Sequence, residues 1–478
     1  MNKLRTLVLG AAFVACASVA GAQTASLHGK VDYTNFGLGQ RLDNFGNGDD
    51  WDHTDPAAEF GNAGNGETTV DLRVTAANFL FNFGLRLNSS LWQTGDYYVS
   101  DDQGLAYVQT IFYQGNIRAA FFNEQFFIYT GKFEDWNAGY ISEGYVLGGQ
   151  QIHDLASHSV GQHITALEIA PYALKGFKFM AALPILPGHG NDVNTNIGAN
   201  HWKNLYKKFK LVAQYKLPIE DTDIILNAGW RPGTYYSGVE AYHKLSKDED
   251  GNYNDFTKSF FGEAYIQGNF FSLVPGFDLN ATYDFRYRDG KYTTVTSGTK
   301  EHFTTAHMVG VSANLGSDLL QVENLSLAIE DRFFYADDDY IFDDEKLIYN
   351  RIGARAGYKF GDGPWELGLV FVNTLAADAR STAFSKDGSG KYGKVISDSF
   401  DDIAVGYNKM AISDNFTRIP NGDSGNYHSE YLNPFVQYNL SNGFIRLGVE
   451  LQFAQVKTGG ETYSSFNYRV PVGFCFWF

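Results

Sequence analysis

Between His153 and His163 the chain gathers three histidines (His153, His158 and His163), two serines (Ser157 and Ser159) and Asp154. A serine hydrolase needs a hydroxyl, an imidazole to take its proton, and an acidic or amide group to orient the imidazole. The residue types are present, but they sit in a polar run, YISEGYVLGGQQIHDLASHSVGQ at 140–162, whose spacing imposes no fixed geometry. Geometry is what makes a catalytic site, so the run is read as a polar loop. Zinc fares no better, because His153 and His158 lack helical i, i+4 spacing and have no cysteine partner. Three acidic stretches, DNFGNGDDWDHTD at 43–55, DEDGNYND at 248–255 and DDDYIFDDE at 337–345, carry oxygen ligands of the kind calcium takes. None has EF-hand spacing with its terminal Glu, and a solvated rim accounts for them. No catalytic group, cofactor or resident metal is expected.

The elements that carry these residues have a period of two. Val70, Leu72, Val74 and Ala76 alternate with Asp71, Arg73 and Thr75. Phe79, Phe81, Phe83, Leu85 and Leu87 alternate with Asn82, Gly84, Arg86 and Asn88. The same alternation recurs at 27–33, 209–217, 277–288, 351–360 and 445–453. Each is a strand with one apolar face and one charged face. A soluble sheet would show the same pattern, so the connections decide the class. Short ones fall at 77–78, 123–125, 172–175, 218–221, 272–275, 316–323, 361–363 and 441–442. Long polar ones fall between them at 38–66, 136–162, 187–204, 234–256 and 376–426. That rhythm is expected of an all-β chain folded into a transmembrane antiparallel barrel, with short periplasmic turns and long external loops. Both ends then lie on one side, which requires an even strand count; we expect about 18 strands, with about 16 as the alternative. Three local features stand out. The stretch 104–122 is long enough to need a bulge, Asp331 falls on the lipid face, where a bulge or the membrane interface must accommodate it, and 376–426 has room for a helix or a hairpin.

Composition fits that class. Aromatics make up 16% of residues, glycines number 51, and mean hydropathy is -0.26. Half of each barrel strand faces water, so the chain stays polar on average. The formal charge is -17, and two units more negative without Lys3 and Arg5, which argues against a nucleic-acid partner. Residues 1–22 read as a secretory signal: Lys3 and Arg5, an apolar run from Leu7 to Ala15, then Ala20-Gly21-Ala22, with cleavage after Ala22. The mature region, 23–478, is expected to be one barrel with no plug domain. It keeps a single cysteine, Cys475, so it has no internal disulfide.

The last residues, NYRVPVGFCFWF, alternate again, with Tyr468, Val470, Val472, Phe474, Phe476 and Phe478 on one face. Gly473, Phe476 and Phe478 match a glycine followed by alternating aromatics that ends on Phe. This resembles the C-terminal signal of Gram-negative outer-membrane barrels, with Pro471 standing where that family prefers a polar residue. The resemblance implies recognition by the barrel assembly machinery and an outer-membrane location.

From 126 to 183 the order of features resembles porins. FIYTGKFEDW (127–136) looks like the strand that rises into their constriction loop; the long polar segment, HITALEIAPY, a short turn and GFKFMAAL follow. The resemblance implies that 136–162 folds inward and narrows a channel for small hydrophilic solutes. Glu143 and Asp154 are then the acidic groups on the loop. Lys30, Arg73 and Arg86, inward by parity on the first three strands, are the basic groups on the wall. Opposed charges of this kind set a transverse field that selects ions. The expected partners are outer-membrane lipid, small solutes and further copies in a homotrimer. The rival reading is a surface adhesin or ligand-binding barrel whose long loops do the work.

Overall fold

The computed structural model describes residues 22–43, 52–53, 57–60, 67–76, 78–88, 110–132, 145–146, 163–184, 210–231, 260–294, 298–338, 346–380, 392–394, 418–420, 424–458 and 461–478. The expected signal segment, 1–22, lies outside them except for Ala22.

Eighteen antiparallel strands form one sheet. They are β1 (Ala22–Asp43), β2 (Glu67–Ala76), β3 (Phe79–Asn88), β4 (Thr110–Phe121), β5 (Phe126–Lys132), β6 (His163–Ile169), β7 (Phe177–Pro184), β8 (Lys210–Lys216) and β9 (Asp223–Arg231). The ring continues with β10 (Phe260–Val274), β11 (Phe277–Thr294), β12 (Gly298–Leu315), β13 (Leu325–Asp338), β14 (Lys346–Lys359), β15 (Trp365–Arg380), β16 (Ser424–Leu440), β17 and β18 (Glu461–Trp477). β17 is broken at Val449 into Gly443–Gly448 and Glu450–Thr458. Each strand pairs with its neighbour in sequence, and β18 pairs with β1 from Lys30↔Trp477 to Asp43↔Ser465. Among the described residues each strand of the ring thus has a partner on both sides. Closure is what lets a sheet cross a bilayer, where an unpaired backbone group costs several kcal/mol.

The two faces of the wall meet different surroundings. Ile266, Val309, Ile329, Ile352, Leu369 and Leu447 point outward and are exposed. Their sequence neighbours point inward, and many of these are polar or charged, among them Gln267, Glu330, Arg351 and Arg446. Asn269, Asn280, Ser312 and Glu330 form one row across β10 to β13, with Asn269 Nδ2 donating to Asn280 Oδ1 at 2.8 Å. Outer residues would be stranded in water, and inner ones in lipid, if the strand slipped by one.

The short turns sit where the sequence placed them, with small changes. β10 runs on to Val274, so its turn shrinks to Pro275-Gly276, where Gly276 has φ +76°. The wider connection after β12 holds one turn of helix, α1 (Ser317–Leu320), closed by Gln321 in the left-handed conformation. The long external segments begin later than expected, because strand pairing outlasts apolar alternation. β1 extends through Asp43, and the short strand Ala57–Phe60 folds back on it with Phe36↔Phe60 and Gly39↔Ala57. β15 runs to Arg380 and β16 starts at Ser424; between them, among the described residues, Tyr392–Lys394 pairs with Arg418–Pro420. The bulge expected in 104–122 is present: the β3–β4 register shifts between Gly84 and Leu85, leaving Tyr113 as the extra residue. No bulge relieves Asp331. The registers from β12 through β13 to β14 run unshifted, and Asp331 stays on the outer face.

Candidate functional site

The chain leaves β5 at Lys132 and re-enters the wall at His163. Between these points Tyr145 and Val146 are described, and they lie far from β5. The Tyr145 backbone N–H donates to Ser312 Oγ on β12 at 2.8 Å. The next N–H, of Val146, donates to Glu330 Oε2 on β13 at 3.1 Å. The Val146 side chain is 1% exposed and packs with Ala328, Val370, Val372, Tyr431 and Phe435 on β13, β15 and β16, with Tyr145 beside it. This part of the segment thus rests on the inner wall across from its own root.

Inward charges surround that contact. Glu330 is fully buried; its Oε1 accepts from Arg332 Nε at 2.6 Å and pairs with Arg332 Nη2 at 2.5 Å. Both contacts fall on one oxygen and are charge-assisted, the stronger kind of hydrogen bond. That leaves Oε2 aimed at the Val146 amide. Arg332 stands level with Arg351 on β14. Lower on the wall, Arg355 Nη2 meets Glu366 Oε1 at 3.3 Å. Arg446 Nε donates to Gln437 Oε1 at 2.8 Å, and its guanidinium lies 4.2 Å from the Phe435 ring centre. Tyr431 Oη–H donates to Glu450 Oε1 at 2.9 Å.

A second polar group lies on β4 to β7. Tyr129 Oη–H donates to Glu168 Oε2 at 2.5 Å, Lys178 Nζ is 3.5 Å from Glu168 Oε1, and Arg118 lies 4.1 Å over Phe127. The buried carboxylate is thereby held by a hydroxyl and a cation together, as a charge out of water requires.

The residues nominated from sequence divide into three sets. Glu143, Asp154, His153, His158, Ser157 and Ser159 lie outside the described residues. Lys30, Thr69 and Arg86 share one register row on β1 to β3, and Ser26, Arg73 and Asn82 share another, four residues nearer the short turns. Asn82, on the row of Arg73, lies on the inner face, where its Nδ2 donates to Asn116 Oδ1 at 3.0 Å. Arg73 is exposed; the side chains of Lys30 and Arg86 lie outside the described set. Gly473, Phe476 and Phe478 form part of the closing seam. Phe478 exchanges two backbone hydrogen bonds with Gly29, at 2.9 and 3.0 Å. Its ring covers Gly29 so closely that a Cβ there would lie 2.2 Å from a ring carbon. Among the described residues no group of three His, Cys, Asp or Glu side chains could hold a metal ion.

The sequence reading did not nominate Glu330, Arg332, Arg351, Arg355 or Arg446. Parity could have found them, since each is a charged residue at an inward position of a strand whose outward residues are mostly apolar.

No family profile and no curated protein matches the chain. Among solved structures it is similar to the outer membrane channel DcaP of Acinetobacter baumannii, at 11% identity over 96% of this chain and 98% of that one, with a TM-score of 0.40. It is similar to an anion-selective porin from Comamonas acidovorans, at 11% identity over 95% and 99%, TM-score 0.41. It is also similar to the outer membrane protein OpdK of Pseudomonas aeruginosa, at 10% identity over 95% and 98%, TM-score 0.38. The architecture itself rests on the strand pairing. A closed antiparallel ring with an even strand count, an apolar outer belt and a polar interior is the form in which chains cross the Gram-negative outer membrane. This chain is therefore an eighteen-strand antiparallel β-barrel of the transmembrane kind.

Proposed function

We propose that the barrel is a channel for passive diffusion of small hydrophilic solutes and ions, narrowed by the segment 136–162. The observation that carries this reading is the docking of Tyr145 and Val146 on β12, β13, β15 and β16, across the barrel from β5 and β6. A barrel of this strand number leaves an aqueous lumen unless something fills it. A segment laid across that lumen reduces its width to the size of small solutes. Glu143 and Asp154 on the segment and Lys30, Arg73 and Arg86 on the wall then set the field that solutes cross. The channel assembles as a homotrimer, and the C-terminal Gly473, Phe476 and Phe478 are read by the barrel assembly machinery.

The test is single-channel conductance of the purified protein in planar bilayers, beside a variant lacking 144–157. Steady conductance that rises with the deletion is expected. An electrically silent barrel would overturn the channel reading and leave a surface-binding barrel in its place.

A further inference from the structure

Asp331 faces out of the barrel. Its neighbours Glu330 and Arg332 are buried inside, whereas Ile329 and Phe333, on its own face, are 52% and 40% exposed. It lies six residues from the short-turn end of β13 at Leu325. That is about 20 Å along the strand, or about 15 Å in height at the usual tilt, near the middle of an apolar belt about 25 Å tall. Val311 and Ile352 flank it in the register row. Among the described residues its hydrogen-bond partner is Asn350 on β14, whose Nδ2 donates to Asp331 Oδ1 at 2.7 Å. The second Asn350 N–H has only a long contact, 3.4 Å, to the Arg332 carbonyl. Glu430 and His428 on β16 are also on the outer face, six and four residues from the external end of that strand at Ser424, with Asn373 of β15 at 2.9 Å from His428.

Lipid chains offer no donor to the second carboxylate oxygen, so a polar pair at this depth calls for protein against it. The neighbouring surface admits one. The row beneath Asp331 is Ala313, Ile329 and Ala354, and Ala356 lies one further row down, so β12 and β14 present small side chains on either side. Small outward residues let two walls approach closely.

We infer that the outer face of β12 to β14, centred on the Asp331–Asn350 pair, is where copies of this chain meet in the membrane. A second copy suits the site for a physical reason. Identical barrels sit at identical depth, so a rotation axis along the membrane normal brings each pair level with the next. Asn350 then donates its second N–H to the partner's Asp331, and Asp331 accepts in turn, closing a ring of hydrogen bonds. The arrangement works for a two-fold or a three-fold axis. It rests on the closed barrel and not on conduction, so a silent barrel would leave it standing.

The test places a photoreactive amino acid at Ile352, beside the pair, or at Ile117 on β4, across the barrel, in cells making the full chain. Irradiation should give a product containing two copies of the chain from Ile352 and none from Ile117. Asp331→Leu, which suits lipid and leaves the lumen untouched, should reduce that product severalfold while the folded barrel keeps its heat-dependent shift on gels. The inference is overturned by the absence of a product from Ile352, by equal yields from the two sites, by a product containing a different protein, or by an undiminished yield with Asp331→Leu.

Discussion

The backbone N–H of Val146 donates to Oε2 of Glu330 at 3.1 Å, joining residues 184 positions apart. Arg332 holds the other carboxylate oxygen. One carboxylate thus fastens the inward segment to the wall and neutralises a buried guanidinium.

Glu330→Ala removes both functions. Leaving Arg332 buried without its anion should cost about 3–5 kcal/mol of stability, as for other broken buried pairs. Urea unfolding in lipid vesicles measures it. The double replacement Glu330→Leu with Arg332→Leu should cost less than the single one, because no charge is left alone. Both variants should show larger and noisier single-channel currents than the parent, since both free Val146.

Selectivity depends on charges at the narrowing. A charge in a narrow lumen attracts its counter-ion more strongly than in bulk water. Neutralising Arg73 and Arg86 together should shift selectivity toward cations, and neutralising Glu143 and Asp154 should shift it toward anions. Reversal potentials in a salt gradient decide. Unchanged potentials in both double variants would place the selecting charges elsewhere, with the arginines of β13, β14 and β17 the next to test.

The seam between β18 and β1 supplies an assembly prediction. Phe478 pairs with Gly29 through both backbone hydrogen bonds, and its ring occupies the space a side chain at Gly29 would need. Gly29→Leu should therefore slow closure of the barrel, as should deletion of Phe478. Deletion should affect the rate of insertion more than the stability of the finished barrel. Pulse-labelled assembly followed by the heat-shift assay separates the two; normal insertion of the truncated chain would refute the role given to the terminal ring.

Topology can be tested by labelling intact cells. A tag between Ser441 and Asn442, in a short turn, should stay unlabelled, and a tag inserted in 381–423 should be labelled. The reverse pattern would invert the barrel in the membrane.

The sequence by itself determined the barrel. Leu72 and Val74 against Arg73, or Phe81 against Asn82, show two faces because each strand meets two different surroundings, and that requirement is local. Strand number followed from the rhythm of short and long connections, which is also local. It determined, too, that Lys30, Arg73 and Arg86 share a face, since parity alone decides that. What it left blank are contacts between strands distant in sequence. β15 carries apolar residues on both faces: Leu369 and Phe371 point out, Val370 and Val372 point in. Period two has no signal there, and only closure of the ring shows that the inward valines meet Val146. Asp331 is the converse case. Its lipid-facing position was legible, but its partner Asn350 lies on the next strand, across a connection of polar residues, and the register that brings them to 2.7 Å is set by the pairing of whole strands. Local alternation fixes which face a residue occupies; which residue stands opposite it is decided only when the sheet closes.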